Sequence, residues 1–246
     1  MQEDSLFKNR MTELASRAYE RGIWTSSEFL SLAEQDMLLR LSLPSPFTLE
    51  GGAEGCERRI ALFGSEELCG WTEEPPIACV KISPVNDKFA EKLTHRDFLG
   101  ALMGLGIRRE VLGDIVILGN RGYLFCLDSI AGYIISSLGE VRRTTVKAEV
   151  SAPPTQLSEK PPQKALITAS ERLDGVISAV YKLSRSQSQE LISSGKTYIS
   201  GRLCETAGAQ IPEGAVVSVR SVGRFVYEGI ERETKKGRLR VLVRVY

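Results

Sequence analysis

The sequence predicts an α+β protein built from several consecutive segments. The first 43 residues carry apolar side chains at helical spacing, and residues 58–150 alternate short apolar strands with helices. Four prolines then fall within residues 151–164, before a last region of helices and strands. We predict a helical N-terminal subdomain with a short strand (1–75), a βαββαβ domain (76–150), a Pro-rich linker (151–169) and a C-terminal domain (170–246).

Two helices are expected at the N-terminus. Leu6, Met11, Leu14 and Ala18 recur at helical spacing. A second helix would carry the apolar residues between Phe29 and Leu41, and its predicted N-cap is one of three hydroxyl residues, Thr25, Ser26 or Ser27.

The middle of the chain has the element order of a split βαβ domain. A short strand, Arg58–Phe63, precedes it. From Ile77 the predicted elements are strand Ile77–Ile82, helix Thr94–Leu105, strands Asp114–Leu118 and Tyr123–Leu127, helix Ser129–Leu138 and strand Thr144–Val150. This order predicts a ferredoxin-like or RNA-recognition (RRM-like) layout, which serves many unrelated functions.

The third strand of this layout carries aromatic residues. In RNA-recognition domains a Lys/Arg-Gly-aromatic pattern on that strand stacks on bases, and Arg121-Gly122-Tyr123-Leu124-Phe125 matches it in part. The pattern then fails at Cys126 and Asp128. Two interpretations stay open, namely base stacking and ordinary strand packing, and the second is favoured.

Composition narrows the function classes. Residues 164–246 hold 14 Lys/Arg against 8 Asp/Glu, whereas residues 1–75 hold 7 against 14. The basic end suggests an anionic partner, although a solvated surface with scattered charge would look the same. Five widely spaced cysteines without a C-x-x-C pair, and a single histidine, predict reduced thiols and neither a metal site nor a cofactor.

No membrane or secretion signal is expected. The N-terminus starts with acidic residues and has no apolar core segment. No apolar run approaches the length needed to cross a bilayer. We therefore expect a cytoplasmic protein without a membrane partner.

The C-terminal region reads as two short helices followed by hairpins. A helix from Arg172 to Tyr181 precedes a capping box formed by Ser184 and Gln187, so a second helix should run from Arg185 to Ser193 and end at Gly195. Strands are expected at Lys196–Ser200, Arg202–Cys204, Val216–Arg220 and Arg238–Tyr246. The last strand alternates apolar and basic residues, which fits either an edge strand protected by charge or a basic binding face.

This geometry suits phosphate. A helix N-terminus offers free backbone N–H groups and partial positive charge, and Ser184, Arg185 and Ser186 lie there. Lys196 and Arg202 flank the hairpin that follows. We predict that these cations cluster on one surface that contacts the backbone of folded RNA by shape, with salt-dependent affinity.

A stretch from about Arg172 to Tyr227 resembles the S-four RNA-binding domain. The carriers are Arg172-Leu173-Asp174, Ser184-Arg185 and the Gly195–Gly201 turn, where Thr197 and Ser200 depart from the usual Val and Asn. The resemblance implies a C-terminal S-four (αL) fold in residues 170–246. The candidate RNA contacts are Arg172, Ser184, Arg185, Ser186, Gln187, Lys196 and Arg202.

Nearly the whole chain resembles the YlmH family. The carriers are Leu93–Ile115 and the pattern from Phe7 to Glu34. The resemblance implies a cytoplasmic bacterial protein, or a plastid relative, bound to the large ribosomal subunit. It suggests contacts with ribosomal RNA and tRNA on stalled complexes in quality control, with links to cell division. A monomer is expected.

Other motifs are weaker. His95-Arg96-Asp97 spells a kinase catalytic-loop tripeptide, but no nucleotide loop or D-F-G accompanies it. His95, Arg96, Arg108 and Arg109 are instead a possible second RNA or protein surface. Asp114 is interpreted as a turn residue and Asp174 as a helix-start charge.

The alternative function is an RNA-modifying enzyme. A pseudouridine synthase needs a large catalytic domain after the S-four unit, and only 19 residues follow Tyr227. A methyltransferase needs a Gly-rich cofactor loop after a strand, and none is visible. A protein scaffold using the acidic N-terminal helices could coexist with RNA binding. The chain is therefore expected to be non-enzymatic, without catalytic residues.

Overall fold

A computed structural model describes residues 2–88, 90–155, 161–234 and 237–246, except for the side chains of residues 2 and 3. Helices and antiparallel sheets make up the chain, so the α+β prediction is confirmed. Residues 1–159 and 160–246 form two compact units, which are described separately. Both of the predicted segments 1–75 and 76–150 lie in the first unit.

The first unit opens with a long helix and a small antiparallel sheet. Its elements are α1 (Gln2–Arg21), β1 (Thr25–Ser26), α2 (Leu32–Leu38), β2 (Phe47–Glu50), β3 (Ile60–Phe63) and α3 (Glu66–Cys69). The strand order is β1-β3-β2. The apolar stripe of α1, with Met11, Ala15 and Ala18 fully buried, packs against Ala61 and Phe63 of β3.

The predicted cap of the second helix is wrong. Ser31 caps α2: its backbone N–H donates to Glu34 at 2.7 Å, and its hydroxyl accepts from the Glu34 backbone N–H. Thr25 instead lies in β1, where its hydroxyl donates to the Leu14 carbonyl. Ser27 pairs with Ala61 through both its backbone and its hydroxyl. Tertiary pairing with β3 therefore overrides the local capping signal.

A five-stranded antiparallel sheet follows in the same unit. Its elements are β4 (Ile77–Pro84), α4 (His95–Gly104), a 3-10 turn (Arg109–Val111), β5 (Leu112–Leu118), β6 (Arg121–Leu127), α5 (Asp128–Ser137), β7 (Glu140–Val141) and β8 (Thr144–Val150). The strand order is β5-β6-β4-β8-β7. Leu118 pairs with Arg121 across a two-residue turn, where Gly119 takes a φ of +63°.

The two faces of this sheet are covered differently. Val80, Leu124 and Cys126 pack against α4 and α5. On the opposite face Phe125 is fully buried with Phe29, Cys56 and Ile60 from the N-terminal segment. Phe125 therefore cannot stack on bases. For this residue the favoured interpretation, ordinary strand packing, is correct.

The second unit is a six-stranded antiparallel sheet with two helices. Its elements are β9 (Gln163–Thr168), α6 (Leu173–Tyr181), α7 (Arg185–Ser193), β10 (Thr197–Ile199), β11 (Arg202–Leu203), β12 (Val216–Val219), β13 (Gly223–Glu233) and β14 (Leu239–Val245). The order is β11-β10-β12-β13-β14-β9. Leu173, Val176, Ile177 and Ile192 of the helices pack on Val217, Phe225, Tyr227 and Val241 of the sheet.

One prediction and one of two open alternatives fail in this unit. Gln163–Thr168 falls within the predicted linker, yet it forms β9 and pairs with β14 from Thr168 to Gln163. Because β14 lies between β13 and β9, it is not an edge strand. The sequence analysis also did not predict β13, an eleven-residue strand that is interrupted by bulges near Gly229 and Ile230. The predicted linker residues 156–160 lie outside the described residues.

No helix among residues 2–88, 90–155, 161–234 and 237–246 is long and apolar enough to span a bilayer.

Candidate RNA interface

The start of α7 is built by the predicted capping box, which is confirmed. The Ser184 hydroxyl accepts from the Gln187 backbone N–H at 3.2 Å, and the Gln187 side-chain oxygen accepts from the Ser184 backbone N–H at 2.9 Å. Both side chains are exposed but are used in the cap. The remaining first-turn residues, Arg185 and Ser186, are exposed at the positive end of the helix dipole.

A buried carboxylate joins the two helix starts. Asp174, in the first turn of α6, has a fully buried side chain. Arg185 lies 2.7 Å from its Oδ2 through Nη1, and Arg172 approaches its Oδ1 through Nε at 3.3 Å. Gln189 donates to Oδ2 at 3.1 Å. The carboxylate therefore binds one cation from each helix start.

The charge of Asp174 is stabilised by these donors. Burial by itself would raise the pKa of the carboxyl, because desolvation disfavours the ionised form. Hydrogen bonds from Arg172, Gln189 and Arg185 outweigh it and hold the Asp174 pKa at about 2. The group is thus ionised at neutral pH and keeps both guanidinium groups in place.

Asp174 holds the two guanidinium groups in place, but both stay about half exposed. The side chain of Arg172 is 49% exposed and that of Arg185 is 47% exposed. Each lies against a glycine: a Cβ at Gly175 would come within 3.3 Å of Arg185 Nη2, and one at Gly208 within 3.5 Å of Arg172 Cζ. The exposed N–H groups are thus held in fixed positions, and guanidinium N–H groups are donors that suit phosphate. We call Arg172 and Arg185, held by Asp174, the arginine pair.

Lys196 lies at the other end of α7, and Arg202 lies in the hairpin that follows. Lys196 follows the helix and is exposed, with its backbone N–H bonded to the Leu191 carbonyl. Ser200 (φ +46°) and Gly201 (φ +76°) form the turn to Arg202, which pairs with Ile199. The nine residues of α7 put the two ends about 14 Å apart at about 1.5 Å per residue. The predicted single cluster is therefore two groups.

The possible second surface is only partly exposed. His95 and Arg96 are exposed at the start of α4. Arg108 forms an ion pair with Glu28, which also pairs with Arg10. Arg109 turns inward and donates to the carbonyls of Leu112, at 2.6 Å, and Gly113. The guanidinium of Arg109 is thus bonded within the fold, so Arg109 is not part of the predicted second surface.

Asp114 is not a turn residue. It lies in β5 at a bulge and accepts hydrogen bonds from the backbone N–H groups of Glu57, at 2.5 Å, and Arg58. Burial raises the pKa of Asp114, although the Arg58 backbone N–H and the positive charges of Arg109, Arg58 and His95 oppose the shift. Burial also lowers the pKa of Arg109 to about 10, and the nearby positive charge of Arg58 adds to that shift.

The role of Asp174 is what the sequence interpretation missed. The interpretation of Asp174 as a helix-start charge did not include its ion pairs with Arg172, two residues before it, and with Arg185, eleven residues after it. The signal available was an acid next to a basic helix cap, followed by a second helix that starts with arginine. Gln189 and the two flanking glycines carry no local signal, because they act only through the tertiary contact.

Fold and site together define an α+β chain whose C-terminal unit presents an arginine pair at two adjoining helix starts. Residues 73–153, in the first unit, match the family model described as "Putative RNA-binding domain in YlmH". The similarity to the YlmH family, predicted from the sequence, is confirmed.

Two known proteins are similar over larger parts of the chain. "Ribosome-associated protein quality control protein P2" of Bacillus subtilis (strain 168) is 27% identical over 226 residues, covering 87% of this chain and 84% of that protein. The solved structure of "Cell division protein ylmH from Streptococcus pneumoniae" has a TM-score of 0.49 and 21% identity, covering 61% of this chain and 91% of that one.

Proposed function

We propose that the protein is a non-catalytic RNA-binding protein that docks on structured RNA through its C-terminal unit, acting as an S-four-type domain. The observation that carries this proposal is the arginine pair. Two half-exposed guanidinium groups are fixed by a buried carboxylate, so their rotamer entropy is largely lost before binding. Structured RNA, whose phosphates are recognised by shape, is the partner that such a rigid cationic site fits.

The RNA that we propose is ribosomal. The B. subtilis relative is named as a ribosome-associated quality control protein, and its similarity extends over most of both chains. We infer large-subunit ribosomal RNA, and tRNA on stalled complexes, as the targets, with a possible link to cell division. In this proposal residues 76–150 form an RRM-like domain whose third strand packs against the N-terminal segment and does not stack on bases.

The proposal predicts salt-dependent binding to large ribosomal subunits through both ends of α7. The double variant Arg185→Ala/Lys196→Ala should cosediment at least about 30-fold more weakly than wild type, because it removes one cation from each group. The matched control is Arg40→Ala/Lys147→Ala, which removes two cations of the first unit that are 66% and 72% exposed.

Circular dichroism and thermal unfolding would verify that both variants fold. Wild-type cosedimentation by the Arg185→Ala/Lys196→Ala variant would overturn the assigned surface. An equal loss in the control variant would mean that binding follows total charge rather than this site.

The absence of catalysis is part of the proposal and has its own test. Purified protein incubated with ribosomal RNA, with and without S-adenosylmethionine, should produce neither methylated nucleotides nor pseudouridine by mass spectrometry. Turnover of either kind would replace the docking proposal with an RNA-modifying enzyme.

A second RNA contact, in the first unit, can be tested through a smaller expected effect. Arg96→Ala removes an exposed cation at the start of α4, beside His95. If this end touches RNA, the variant should bind large subunits a few-fold more weakly than Arg10→Ala, whose guanidinium pairs with Glu28. Equal affinities would exclude the α4 start from the interface.

A further inference from the structure

The C-terminal sheet has a second face, opposite α6 and α7. Alternation along the strands places Val217, Phe225, Tyr227, Val241 and Val243 under the helices. Their neighbours along each strand point the other way. We call this the open face and define it by the following residues: Tyr198, Ser218, Arg220, Arg224, Arg232, Arg240, Arg244 and Tyr246.

One row of the open face alternates aromatic, polar and basic side chains. Strand register places Tyr198 opposite Ser218, and Ser218 opposite Arg224. The Tyr246 backbone N–H donates to the Arg224 carbonyl at 3.0 Å, which extends the row to a fourth strand. Three strand spacings of about 4.8 Å separate the two tyrosine positions by about 14 Å.

Each tyrosine ring of this row is held by an arginine. The Cζ of Arg220 lies 4.9 Å from the centroid of the Tyr198 ring, and that of Arg224 lies 5.3 Å from the centroid of Tyr246. Tyr246 is 62% exposed, and Arg220 is also exposed. Each ring–guanidinium stack thus has one exposed member, and its other member, Tyr198 or Arg224, is partly buried.

Basic residues outnumber acids on this face. Among the described residues, Arg220, Arg224, Arg232, Arg240 and Arg244 share it; Glu228 pairs with Arg244, and Glu231 pairs with Arg240. Arg232 lies directly opposite Arg240 across the β13–β14 ladder, so two cations and the Glu231 carboxylate share this end of the face.

We propose that the open face binds a single-stranded stretch of RNA, whose bases stack on the Tyr198 and Tyr246 stacks and whose phosphates lie along the arginines. Aromatic platforms on a basic sheet are the general means by which proteins hold single strands, and two or three bases fit such a sheet. The inference deepens the proposed function, because it adds a single-strand site to the structured-RNA site of the helical face.

The test uses the full chain and two fluorescent RNAs: an unstructured oligouridine of about ten nucleotides, and a stable hairpin. The variant Tyr198→Leu/Tyr246→Ala removes both rings and keeps an apolar side chain in β10. It should bind oligouridine at least about tenfold more weakly and the hairpin as wild type does. The matched control is Tyr19→Ala/Tyr133→Leu, which removes tyrosines of the first unit that are 58% and 46% exposed.

Other outcomes are equally informative. Unchanged oligouridine binding in the open-face variant, or equal losses for both RNAs, would overturn a separate single-strand site. An oligoglutamate peptide that competes with oligouridine equally well in wild type and variant would mean a general anion surface, which also overturns it. Failure of the wild-type protein to bind the hairpin would sink the proposed function and leave the oligouridine result to judge the open face alone.

Discussion

Two carboxylates of this protein each lie among two arginines, and the arginines serve opposite purposes. Around Asp114 the guanidinium groups of Arg58 and Arg109 turn inward to backbone carbonyls. Around Asp174 those of Arg172 and Arg185 stay about half exposed. Residue types alone therefore do not distinguish the two sites; what differs is whether the outer edges of the guanidinium groups stay in solvent.

The pKa directions separate the two sites as well. Burial raises the pKa of Asp114, whose hydrogen bonds come from backbone N–H groups. Burial is outweighed at Asp174 by side-chain donors, which lower its pKa to about 2. The first carboxylate is a structural acceptor within the first unit, and the second is the fixed anchor of a cationic surface.

The largest expected effect concerns Arg58. Its guanidinium donates to the carbonyls of Leu112 and Phe29 at 2.9 Å each. Arg58→Ala leaves these partly buried acceptors unsatisfied and should lower the free energy of unfolding by about 3 kcal/mol. Urea unfolding measures this. Arg185→Ala should lower it by only about 1–2 kcal/mol, because Arg172 and Gln189 still bind Asp174, and equal losses would erase the contrast between the two sites.

Asp174→Asn should give a smaller effect, visible in both folding and binding. The amide keeps the shape of the side chain but removes the charge that holds Arg172 and Arg185. We expect the free energy of unfolding to fall by about 1–2 kcal/mol and the affinity for hairpin RNA to fall about tenfold. Fluorescence anisotropy on the folded variant measures the second quantity.

A control distinguishes positioning from general damage in that experiment. Ser188 is fully buried in the same helix, α7, and its hydroxyl forms no hydrogen bond with the described residues, so Ser188→Ala changes a buried position of the helix and removes no bond to the arginine pair. It should leave RNA affinity unchanged. If Ser188→Ala weakens binding as much as Asp174→Asn does, the carboxylate has no special part in presenting the arginines.

The salt dependence of RNA affinity should separate the arginines of the two units further. Arg172→Ala should reduce the slope of log affinity against log salt by about 1, as expected for one lost phosphate contact. Arg10→Ala, which removes a guanidinium paired with Glu28, should leave the slope unchanged. Titrations of hairpin RNA at several salt concentrations measure both slopes, and equal slopes for wild type and Arg172→Ala would remove Arg172 from the interface.

The smallest effect is the opposite pH dependence of the two carboxylates. The folded pKa of Asp174 is lowered, so its stabilisation is present above the usual value of 3.8 and is lost as pH falls towards about 2. The folded pKa of Asp114 is raised, so its contribution is largest at low pH and declines as pH rises through the folded value.

Urea unfolding of matched Asn variants between pH 3 and pH 7 measures this difference. Relative to wild type, Asp174→Asn should become less damaging as pH falls, and Asp114→Asn should become less damaging as pH rises. Parallel pH profiles for the two variants would contradict the assigned environments.

Local signals in the sequence predicted local structure well. The Ser184–Gln187 capping box, the turn at Gly119 and the alternation of β14 all depend on neighbours in the chain, and the structure contains each of them. The cap of α2 was misplaced because Thr25 and Ser27 are satisfied by partners in α1 and β3. The edge-strand interpretation of β14 failed because its second neighbour, β9, lies more than 70 residues earlier.

The candidate site shows the same difference between local features, which the sequence predicts, and long-range contacts, which it does not. The capping pattern identified Arg185 at the α7 start, and the S-four resemblance identified Arg172, but neither predicted that Asp174 joins them. A carboxylate that bridges two helix starts is a long-range contact, and the spacing of charges within one helix cannot encode it. The separation of Lys196 from Arg185 follows from the length of α7, which the sequence did provide.

A cryo-EM map of the protein bound to a large ribosomal subunit carrying tRNA would test the central claim most directly. The account predicts RNA phosphates in contact with the guanidinium groups of Arg172 and Arg185, and none at Arg58 or Arg109. A map in which the starts of α6 and α7 face solvent while the protein is seated on RNA through another surface would contradict it.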